Sequence, residues 1–401
     1  MKKKSFCIVS GSRADYDLLK PIIRGIKEEN LFKMFLLVTG SHLSKMHGFT
    51  YKQILKDGFK IDQKIEILRN SDKEEAISKS ISRGIVGFTK IFKKIKPDAI
   101  IVLGDRYEIF SAVISAAFFR IPIIHLHGGE TSEGSIDEII RHSISKFSNY
   151  HFVATKEYKK RVIQLGESPK NVFNVGSTGP ENIRSERFMP LYKLEKELNF
   201  NFKYKNLLIT YHPVTYEEKY GINEFKTLLK VLSNYRDVGL IFTMPNADAK
   251  NNSFIKAIKK FTKKYKNSKY FISLGQKKYF SCVKYVDAVI GNSSSGLIEI
   301  PSFNKPTINL GKRQRGRIKA QSVIDCEKVT IKKIQKALNR IYNKNFIKKI
   351  KNTKNPYDNG TTSRKIIKKL KSISIIKVNE KKFNDLKFKI KWKIYSGVKI
   401  V

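Results

Sequence analysis

Residues 127–142 carry the densest set of chemically useful side chains in this sequence. The stretch opens with His-Gly-Gly-Glu after the apolar run 121–124, which predicts a short buried strand. Two glycines at a strand exit let the backbone approach a ligand closely. Glu130, Asp137 and His142 follow within a few turns, together with an arginine. This combination indicates a site for an anionic, oxygen-rich substrate.

Asp105 is a second candidate carboxylate, 25 residues before Glu130 and directly after an apolar run. That spacing is one strand–helix–strand unit, so the loops that carry the two side chains are expected to be neighbours. Paired carboxylates in one cleft shift each other's pKa values and can divide acid and base roles. Simpler roles stay open, because Asp105 can cap the following helix and His142 can serve either the site or its own helix.

Four further residues in the first half are predicted to contact substrate. Arg13, in Gly-Ser-Arg-Ala-Asp, can clamp a phosphate near a helix N-terminus, and Asp15 lies in the same loop. His42 follows the second predicted strand, and Arg106 follows Asp105. Taken alone, each loop also fits an ordinary strand-to-helix turn, and a single histidine is more often structural than catalytic.

In the second half, a histidine and a basic loop follow predicted strands. His212 can protonate or stabilise a leaving group. Arg313 and Arg317 lie in Gly-Lys-Arg-Gln-Arg-Gly-Arg and are predicted to contact a diphosphate, with surface charge as the alternative.

The serine-rich loop 291–296 also follows a predicted strand and opens a predicted helix. Such a loop is typical of phosphate binding, so Ser294, Ser295 and Gly296 are predicted ligands. Glu299 lies one turn later, where it can accept hydrogen bonds from ribose hydroxyls or act only as a first-turn acid of the helix.

These candidates lie at the ends of strands that alternate with helices. Apolar runs predict strands at 6–10, 34–39, 99–103, 122–126, 151–154, 172–175, 207–210, 240–243, 270–274, 287–290 and 307–310. Helical patterns occupy 16–28, 74–95, 107–119, 136–147, 223–232, 253–264, 279–285, 329–342 and 362–370. The alternation predicts parallel sheets that bind ligands at the carboxyl ends of their strands. The fold class is therefore α/β, with two doubly wound Rossmann-like domains facing a central cleft.

The domain limits are predicted at 1–178, carrying the catalytic carboxylates, and at 179–371, binding a nucleotide diphosphate. The last helix, 362–371, is expected to pack back on the N-terminal domain. Residues 372–401 form a basic extension. Within it, 387–394 alternate apolar and lysine residues, which fits an edge strand guarded by charge or a basic arm for polyanions or anionic lipid.

Composition narrows the class of protein. The net charge is +45, and residues 331–400 hold 22 basic against 3 acidic residues. Because lysines cover most predicted helix faces, we interpret most of this charge as solvated surface, with polyanion binding as the alternative. No apolar run approaches the ~18 residues of a membrane span, and the N-terminal apolar run is too short for a signal peptide, so a cytoplasmic protein is expected.

Several cofactor and metal classes lack their sequence signals. The three cysteines are scattered, which argues against a disulfide framework or a metal knuckle. There is no Gly-x-Gly-x-x-Gly fingerprint followed by an acid and no Walker lysine motif. We therefore expect neither a cofactor nor a metal.

The motifs together resemble the hydrolysing UDP-N-acetylglucosamine 2-epimerases of sialic-acid-type sugar biosynthesis. The resemblance is collinear over about 5–371 and is carried by the loops described above, including Thr-Gly-Ser-His at 39–42 and Gly-Asp-Arg-Tyr-Glu at 104–108. It implies the two-domain fold of the B-type glycosyltransferases and a cytoplasmic, metal-independent homo-oligomer, either a dimer or a tetramer. Residues after about 372 lie outside it.

The resemblance also implies the reaction. UDP is eliminated across C1–C2 to give a 2-acetamidoglucal, and water then adds to release N-acetylmannosamine. A desolvated base is required at C2, and Glu130 and Asp105 are both candidates. Arg13, His212, Arg313 and the serine loop would stabilise the leaving diphosphate. Asp137 and His142 are further candidates for proton handling or sugar contacts.

Other readings stay open. Relatives with this signature act on a 2,4-diacetamido-2,4,6-trideoxy sugar nucleotide, carrying UDP or GDP, on the way to legionaminic acid. Non-hydrolysing epimerases usually have Gly-Thr-Arg-Pro-Glu in the first loop, where this chain has Gly-Ser-Arg-Ala-Asp. A glycosyltransferase would not explain the 127–142 block. A protein that binds polyanions and has lost an ancestral enzyme activity would explain the basic C-terminal third. It would not explain why the polar residues at the strand ends are all present, so nucleic acid is not the expected partner.

Overall fold

Each half of the chain forms one parallel sheet, because short apolar strands alternate with amphipathic helices. A computed structural model gives the structure, which describes residues 3–69, 71, 73–245, 250–375 and 381–386. The predicted strand at 387–394 lies outside these residues.

The first sheet has seven parallel strands in the order β3-β2-β1-β4-β5-β6-β7. Its strands are β1 Lys4–Ser10, β2 Phe32–Thr39, β3 Gln63–Ile65, β4 Ala99–Leu103, β5 Ile123–Leu126, β6 Tyr150–Val153 and β7 Val172–Asn174. Its helices are α1 Arg13–Glu28, α2 Tyr51–Lys56, α3 Glu74–Ile95, α4 Tyr107–Phe118, α5 Asp137–Phe147 and α6 Lys156–Gln164. The strands are almost entirely buried, as expected for a parallel sheet covered on both faces.

Two helices, α7 Thr178–Ser185 and α8 Leu191–Leu198, lead to the second sheet, which has the order β10-β9-β8-β11-β12-β13. Its strands are β8 Lys205–Thr210, β9 Val238–Thr243, β10 Ser268–Phe271, β11 Ala288–Gly291, β12 Thr307–Leu310 and β13 Val323–Cys326. Its helices are α9 Ile222–Leu232, α10 Asn251–Lys264, α11 Gly275–Tyr285, α12 Ser295–Ile298, α13 Ile331–Ile341 and α14 Lys344–Ile350. The two doubly wound Rossmann-like domains have the B-type glycosyltransferase fold that the resemblance implied.

The final helix, α15 Thr362–Ser372, packs against α1. Its buried residues Ile366 and Leu370 join the apolar cluster that contains Phe6 and Leu19 of the N-terminal domain. The chain therefore crosses back to the first domain after completing the second. The predicted limits at 178 and 371 stay a prediction.

The structure corrects several element boundaries. Strands β3 and β13 were not predicted, because each is only three or four residues long and includes charged or polar residues. The strand predicted at 270–274 instead spans Ser268–Phe271. Helix α1 begins at Arg13 rather than at 16, because Ser12 and Asp15 form a capping box. Helices α2, α6 and α14 were not predicted, since they are short and only weakly patterned. The sequence predicts one helix in the connector 179–204, and the structure has two, α7 and α8.

The described part of the C-terminal extension contacts the N-terminal domain through Lys381. Its ammonium donates to the backbone oxygens of Ser148, at 2.6 Å, and of Lys146 at the C-terminal end of α5, and it lies 2.8 Å from the Glu167 carboxylate. Positive charge at a helix C-terminus is stabilising. Burial opposes ionisation of Glu167, but hydrogen bonds from His151, Lys146 and Lys381 outweigh it and lower the pKa to about 2.

Replacing Lys381 by Met is therefore expected to lower the free energy of unfolding by about 1 kcal/mol, since the amine is partly solvated. The loss should shrink below pH 4. Because the folded-state pKa of Glu167 is depressed, its contribution is present above the unfolded pKa of about 4.3 and disappears as the pH falls towards 2. Urea titrations at pH 7 and pH 3 measure both effects. Lys382→Met is the matched control, and an equal loss in it would contradict the contact.

Candidate active site

The loops at the carboxyl ends of the two sheets meet between the domains. In each sheet the strand order reverses at its centre, between β1 and β4 and between β8 and β11, where α/β folds bind ligands. A cavity of about 120 Å³ lies between the domains there. We call it the interdomain cavity, and its wall includes Arg13, His212, Tyr279, Ser294, Glu299 and Arg313.

The β1–α1 loop presents Arg13 to this cavity. Its Nη1 lies 3.2 Å from the Asp17 carboxylate one turn along α1, and about a quarter of its side chain, 28%, is exposed. Ser12 caps the helix through its side chain, which fixes the backbone next to Arg13. The guanidinium is therefore held at the cavity wall with part of its surface available to a ligand.

Asp15 and His42 lie beneath this loop. The Asp15 carboxylate accepts hydrogen bonds from the backbone amides of Gly11, at 2.9 Å, and Ser12, at 3.0 Å, and from the Ser10 hydroxyl. His42 contacts the Ser10 hydroxyl at 2.9 Å. Burial is the main cause that raises the pKa of Asp15 to about 7 and lowers that of His42 to about 3. Both side chains brace the loop, and direct substrate contact by either stays a prediction.

The serine-rich loop forms another part of the wall. Ser295 donates to the Glu299 carboxylate and contacts the Tyr279 hydroxyl at 2.8 Å. Burial raises the pKa of Glu299 to about 7, so a ligand hydroxyl that donates to this carboxylate would favour its ionised form. The predicted helix is only the four-residue α12, and Glu299 follows it. A Cβ on Gly296 would lie 2.7 Å from the Thr307 side chain, so this glycine is required for packing.

Asn292 positions His212 in the cavity wall. Its Oδ1 accepts the His212 backbone N–H at 2.7 Å, and its Nδ2 donates to the His212 carbonyl at 2.8 Å. The same residue's backbone oxygen accepts from Arg313 Nη1 at 3.1 Å. Asn292 thus connects the loops that follow β8, β11 and β12, through its side-chain amide and its backbone oxygen. Sequence reasoning did not select it as a site residue.

Arg313 joins the interdomain cavity to the N-terminal domain. Its Nη2 lies 3.6 Å from the carboxylate of Asp137, the first residue of α5, and Asp137 also accepts from Ser135 at 2.9 Å. The predicted catalytic residue Asp137 therefore lies next to a predicted diphosphate ligand. Beyond this contact, α5 leads to a group of charged side chains that both domains contribute.

That group, which we call the carboxylate–arginine cluster, consists of Asp105, Glu130, Glu138, Arg141 and Arg317. Arg141 is buried and pairs with Asp105, and its Nη2 donates to Ser132 at 3.1 Å. The same hydroxyl lies 3.4 Å from Arg317 Nη2. Asp105 and Glu130, predicted to be neighbours, are therefore linked through two arginines and one serine.

Glu130 is held in a buried ion pair between the domains. Its Oε1 accepts from His127 Nδ1 at 2.6 Å, and its Oε2 lies 3.1 Å from Arg317 Nη2. Burial alone would raise its pKa, but the charges of Arg317 and His127 outweigh burial and lower it. Arg317 also donates to the Thr131 carbonyl at 2.7 Å. The structure thus places Arg317 against Glu130, and its predicted contact with the diphosphate stays a prediction.

The remaining predicted residues have defined partners. His142 contacts Glu138 at 3.0 Å, one turn earlier on α5. Arg106 Nε donates to Glu108 at 3.2 Å, outside the interdomain cavity. Position 106 is the N-cap of α4 and makes no side-chain capping bond. Asp105 is therefore not the helix cap that its sequence position allowed.

The predicted site residues did not include His127, Glu138, Arg141, Tyr279 or Asn292. Spacing could have indicated Glu138, which lies four residues before His142 on one face of α5. Asn292 lies in the serine-rich loop 291–296, but its partner His212 comes from another loop. Nothing local in the sequence marks Tyr279, whose partner Ser295 lies in a different element.

Among the residues that the structure describes, no group of three or more His, Cys, Asp or Glu side chains is arranged to hold a metal ion. Within the same residues, every helix is too short or too polar to span a membrane. The three cysteines are buried and unpaired.

Comparison with known proteins agrees with this geometry. The family model described as UDP-N-acetylglucosamine 2-epimerase matches residues 24–371. The chain is 42% identical over 388 residues to a hydrolysing GDP/UDP-N,N'-diacetylbacillosamine 2-epimerase of Campylobacter jejuni, covering 96% of this chain and all of that protein. It is 39% identical to polysialic acid biosynthesis protein P7 of Escherichia coli, over 88% of this chain and 90% of that protein.

The structural comparison gives the fold. UDP-GlcNAc 2-epimerase from Neisseria meningitidis, solved bound to UDP-GlcNAc, superposes with a TM-score of 0.78 over 92% of this chain and 100% of that chain, at 20% identity. The family model matches most of this chain, and both relatives are more than 30% identical to it. The chain therefore belongs to the UDP-N-acetylglucosamine 2-epimerase family, as its resemblance to the hydrolysing 2-epimerases predicted.

Proposed function

We propose that this protein is a hydrolysing 2-epimerase that acts on a nucleotide-diphosphate 2-acetamido sugar. The observation that carries the proposal is the Arg313–Asp137 contact of 3.6 Å. It places the cavity wall, with its cationic and hydroxyl groups, against α5, the helix that also carries Glu138 and Arg141 of the carboxylate–arginine cluster. An elimination that expels a nucleoside diphosphate requires both parts, one for the leaving group and one for the C2 proton.

The leaving diphosphate would lie in the interdomain cavity. Arg13 and Arg313 approach it from different domains and can neutralise charge as the C1–O bond breaks. The Ser294 hydroxyl can donate to phosphate oxygens, and His212 can donate a proton to the diphosphate. Glu299 would then accept from ribose hydroxyls, which suits a nucleoside at the far end of the cavity.

The geometry favours Asp105 over Glu130 as the base at C2. Both carboxylate oxygens of Glu130 are already bonded, and the residue is only 2% exposed. Asp105 uses Oδ2 for Arg141, accepts no bond at Oδ1 from any described residue, and has 19% of its side chain exposed. Asp105 would remove the C2 proton while Glu130 fixes Arg317 and closes the domains.

Hydrolysis follows from the elimination. Loss of the C2 proton and cleavage of the C1–O bond give a 2-acetamidoglycal and the nucleoside diphosphate. Water then adds its oxygen at C1, and a proton returns to C2 from the opposite face. Asp137 and His142, at the edge of the cluster, are candidates for that proton transfer. Hydrolysis is supported by two relatives that are hydrolysing 2-epimerases, the one from Campylobacter and one from Legionella pneumophila that is 33% identical over 92% of this chain.

The same two relatives favour a 2,4-diacetamido-2,4,6-trideoxyhexose linked to UDP or GDP as substrate. UDP-N-acetylglucosamine is the second candidate. It is supported by a UDP-N-acetylglucosamine 2-epimerase of Neisseria meningitidis that is 30% identical over 80% of this chain. A cytoplasmic homo-oligomer in a sialic or legionaminic acid pathway remains part of the proposal, and light scattering would measure its assembly.

The test is a product analysis by NMR in deuterated water. We expect UDP- or GDP-N,N'-diacetylbacillosamine to yield free nucleoside diphosphate and a reducing sugar that has inverted at C2 and gained deuterium there. The same experiment with UDP-N-acetylglucosamine ranks the two substrates. An equilibrium between two intact nucleotide sugars would refute hydrolysis, and no turnover of any of these substrates would refute the proposed function.

Replacing Arg313 by Ala should weaken UDP binding about 10- to 100-fold, because a charge-assisted hydrogen bond contributes roughly 1.5–3 kcal/mol. Calorimetric titration with UDP measures the change. Lys312→Ala is the matched control, since Lys312 is adjacent, exposed and outside the interdomain cavity. Equal losses in the two variants would indicate nonspecific charge effects and contradict the assigned contact.

A further inference from the structure

A second cleft lies on the C-terminal domain, between α13 and the carboxyl ends of β12 and β13. Its volume is about 540 Å³, within the range of small-molecule sites. We call it the basic cleft, lined by Asn309, Arg315, Asp325, Lys333, Lys336 and Arg340 among others. We propose that this cleft binds a small phosphorylated sugar and that the bound ligand inhibits the enzyme. The inhibition rests on the proposed function, whereas the binding does not.

The charge of the cleft is not balanced internally. Lys333, Lys336 and Arg340 follow one another at intervals of three and four residues, so they share one face of α13. Within the described chain, none of the three forms an ion pair with a carboxylate. Phosphate oxygens suit such a row of ammonium and guanidinium groups.

The two acidic side chains of the cleft already have cationic partners. Asp325 lies 2.7 Å from Lys319, and Glu327 lies 3.5 Å from Arg315. They therefore leave the row on α13 uncompensated, and an anionic group entering beside that row would meet net positive charge.

The floor of the cleft carries an uncharged amide, in contrast to the cationic row on α13. Asn309, at the carboxyl end of β12, is 3% exposed, and its Nδ2 donates to Asp325 at 2.8 Å. Its Oδ1 has no hydrogen-bond partner in the described structure, which is unfavourable for a buried amide oxygen. A hydroxyl group that reached the floor would donate to it. Phosphate-binding cations together with an unpaired acceptor indicate a ligand with both phosphate and hydroxyl groups.

The loop after β12 connects this cleft to the active site. Three arginines alternate along it: Arg313 lines the interdomain cavity, Arg315 lines the basic cleft, and Arg317 lies 3.1 Å from Glu130. Arg315 also bridges the domains, with its Nε 3.4 Å from Glu133 and its carbonyl accepting from Thr131.

A phosphate in the basic cleft would compete with Glu133 for the Arg315 guanidinium. Since Glu133 and Thr131 follow Glu130 in the chain, loss of that contact would loosen the loop that carries Glu130. The bound ligand would thus favour the less closed arrangement of the domains. For this reason we expect inhibition and not activation.

Calorimetry on the full-length protein tests the binding, with saturating UDP present to occupy the interdomain cavity. The probes are glucose 6-phosphate, inorganic phosphate and glucose. We expect one site for glucose 6-phosphate, with an affinity at least tenfold above that for either of the other probes. The double variant Lys333→Ala/Lys336→Ala should lose at least tenfold in that affinity.

The control is Lys332→Ala/Lys344→Ala, which removes the same charge from exposed positions outside the cleft. Equal losses in the two double variants, or equal affinity for phosphate and glucose 6-phosphate, would overturn the site. In assays of nucleotide release, glucose 6-phosphate should inhibit the wild type but not the Lys333→Ala/Lys336→Ala variant. If the wild type is active and glucose 6-phosphate does not inhibit it, the proposed inhibition through the basic cleft is wrong. If no substrate turns over but the cleft still binds, the proposed function fails while the site stands.

Discussion

Replacing Asp105 by Asn is expected to lower turnover by at least ~100-fold, the usual scale of a lost general base. The amide keeps the shape of the side chain but cannot accept the C2 proton. UDP affinity should change little, because Asp105 is not part of the interdomain cavity wall that includes Arg13, His212 and Arg313. Steady-state kinetics and UDP titrations on the same preparations measure the two quantities.

A substrate deuterated at C2 separates this role from a structural one. If Asp105 removes the C2 proton, proton removal should become rate-limiting in Asp105→Asn, and nucleotide release should then show a primary isotope effect. Asp98→Asn is the matched control, since Asp98 only braces the start of β4 through Ser5. Near-normal turnover in Asp105→Asn would remove this residue from catalysis and return the base to Glu130.

Replacing Arg317 by Met is expected to destabilise the fold by about 3–5 kcal/mol, because it leaves Glu130 buried without its cationic partner. Glu130→Gln should also be destabilising, because Arg317 loses its carboxylate partner, and the misplaced catalytic groups should lower turnover by about 100-fold with UDP binding retained. The double variant should recover part of the stability, since no unpaired charge remains. Urea unfolding of the four proteins gives the coupling energy between the two side chains, and additive losses would show that the pair is not coupled.

The free energy of unfolding of the wild type and of Arg317→Met should depend differently on pH. In the wild type the folded-state pKa of Glu130 is lowered, so its contribution to stability is present above its unfolded pKa of about 4.3 and is lost as the pH falls through the folded value. Arg317 is the largest of the influences that lower this pKa, so removing it should raise the folded-state pKa of Glu130. The stability that the wild type gains with rising pH should therefore shrink in Arg317→Met, which unfolding curves between pH 4 and pH 8 would detect. An unchanged gain with pH would contradict this account.

Local patterns determined the architecture. Apolar runs of strand length predicted eleven of the thirteen strands that the structure describes, and their alternation with helices predicted two parallel sheets. The same patterns placed Arg13, Asp105, Glu130, His212 and Arg313 at strand ends, because a strand exit is visible in the sequence as the point where an apolar run meets glycine and charge. The resemblance built on these motifs was confirmed by the family comparison.

The tertiary structure decided which groups meet and which are buried. Asp15 and His42 have the residue types of a ligand site, but internal hydrogen bonds hold both beneath the β1–α1 loop. Arg317 has the sequence context of a diphosphate ligand, but it pairs with Glu130 from the other domain. Ion pairs of this kind depend on how two domains dock, and 186 residues separate Arg317 from the Thr131 carbonyl that it contacts. Periodicity reports only local geometry, so the sequence alone determined the fold and the candidate residues, whereas domain packing set their partners and ionisation.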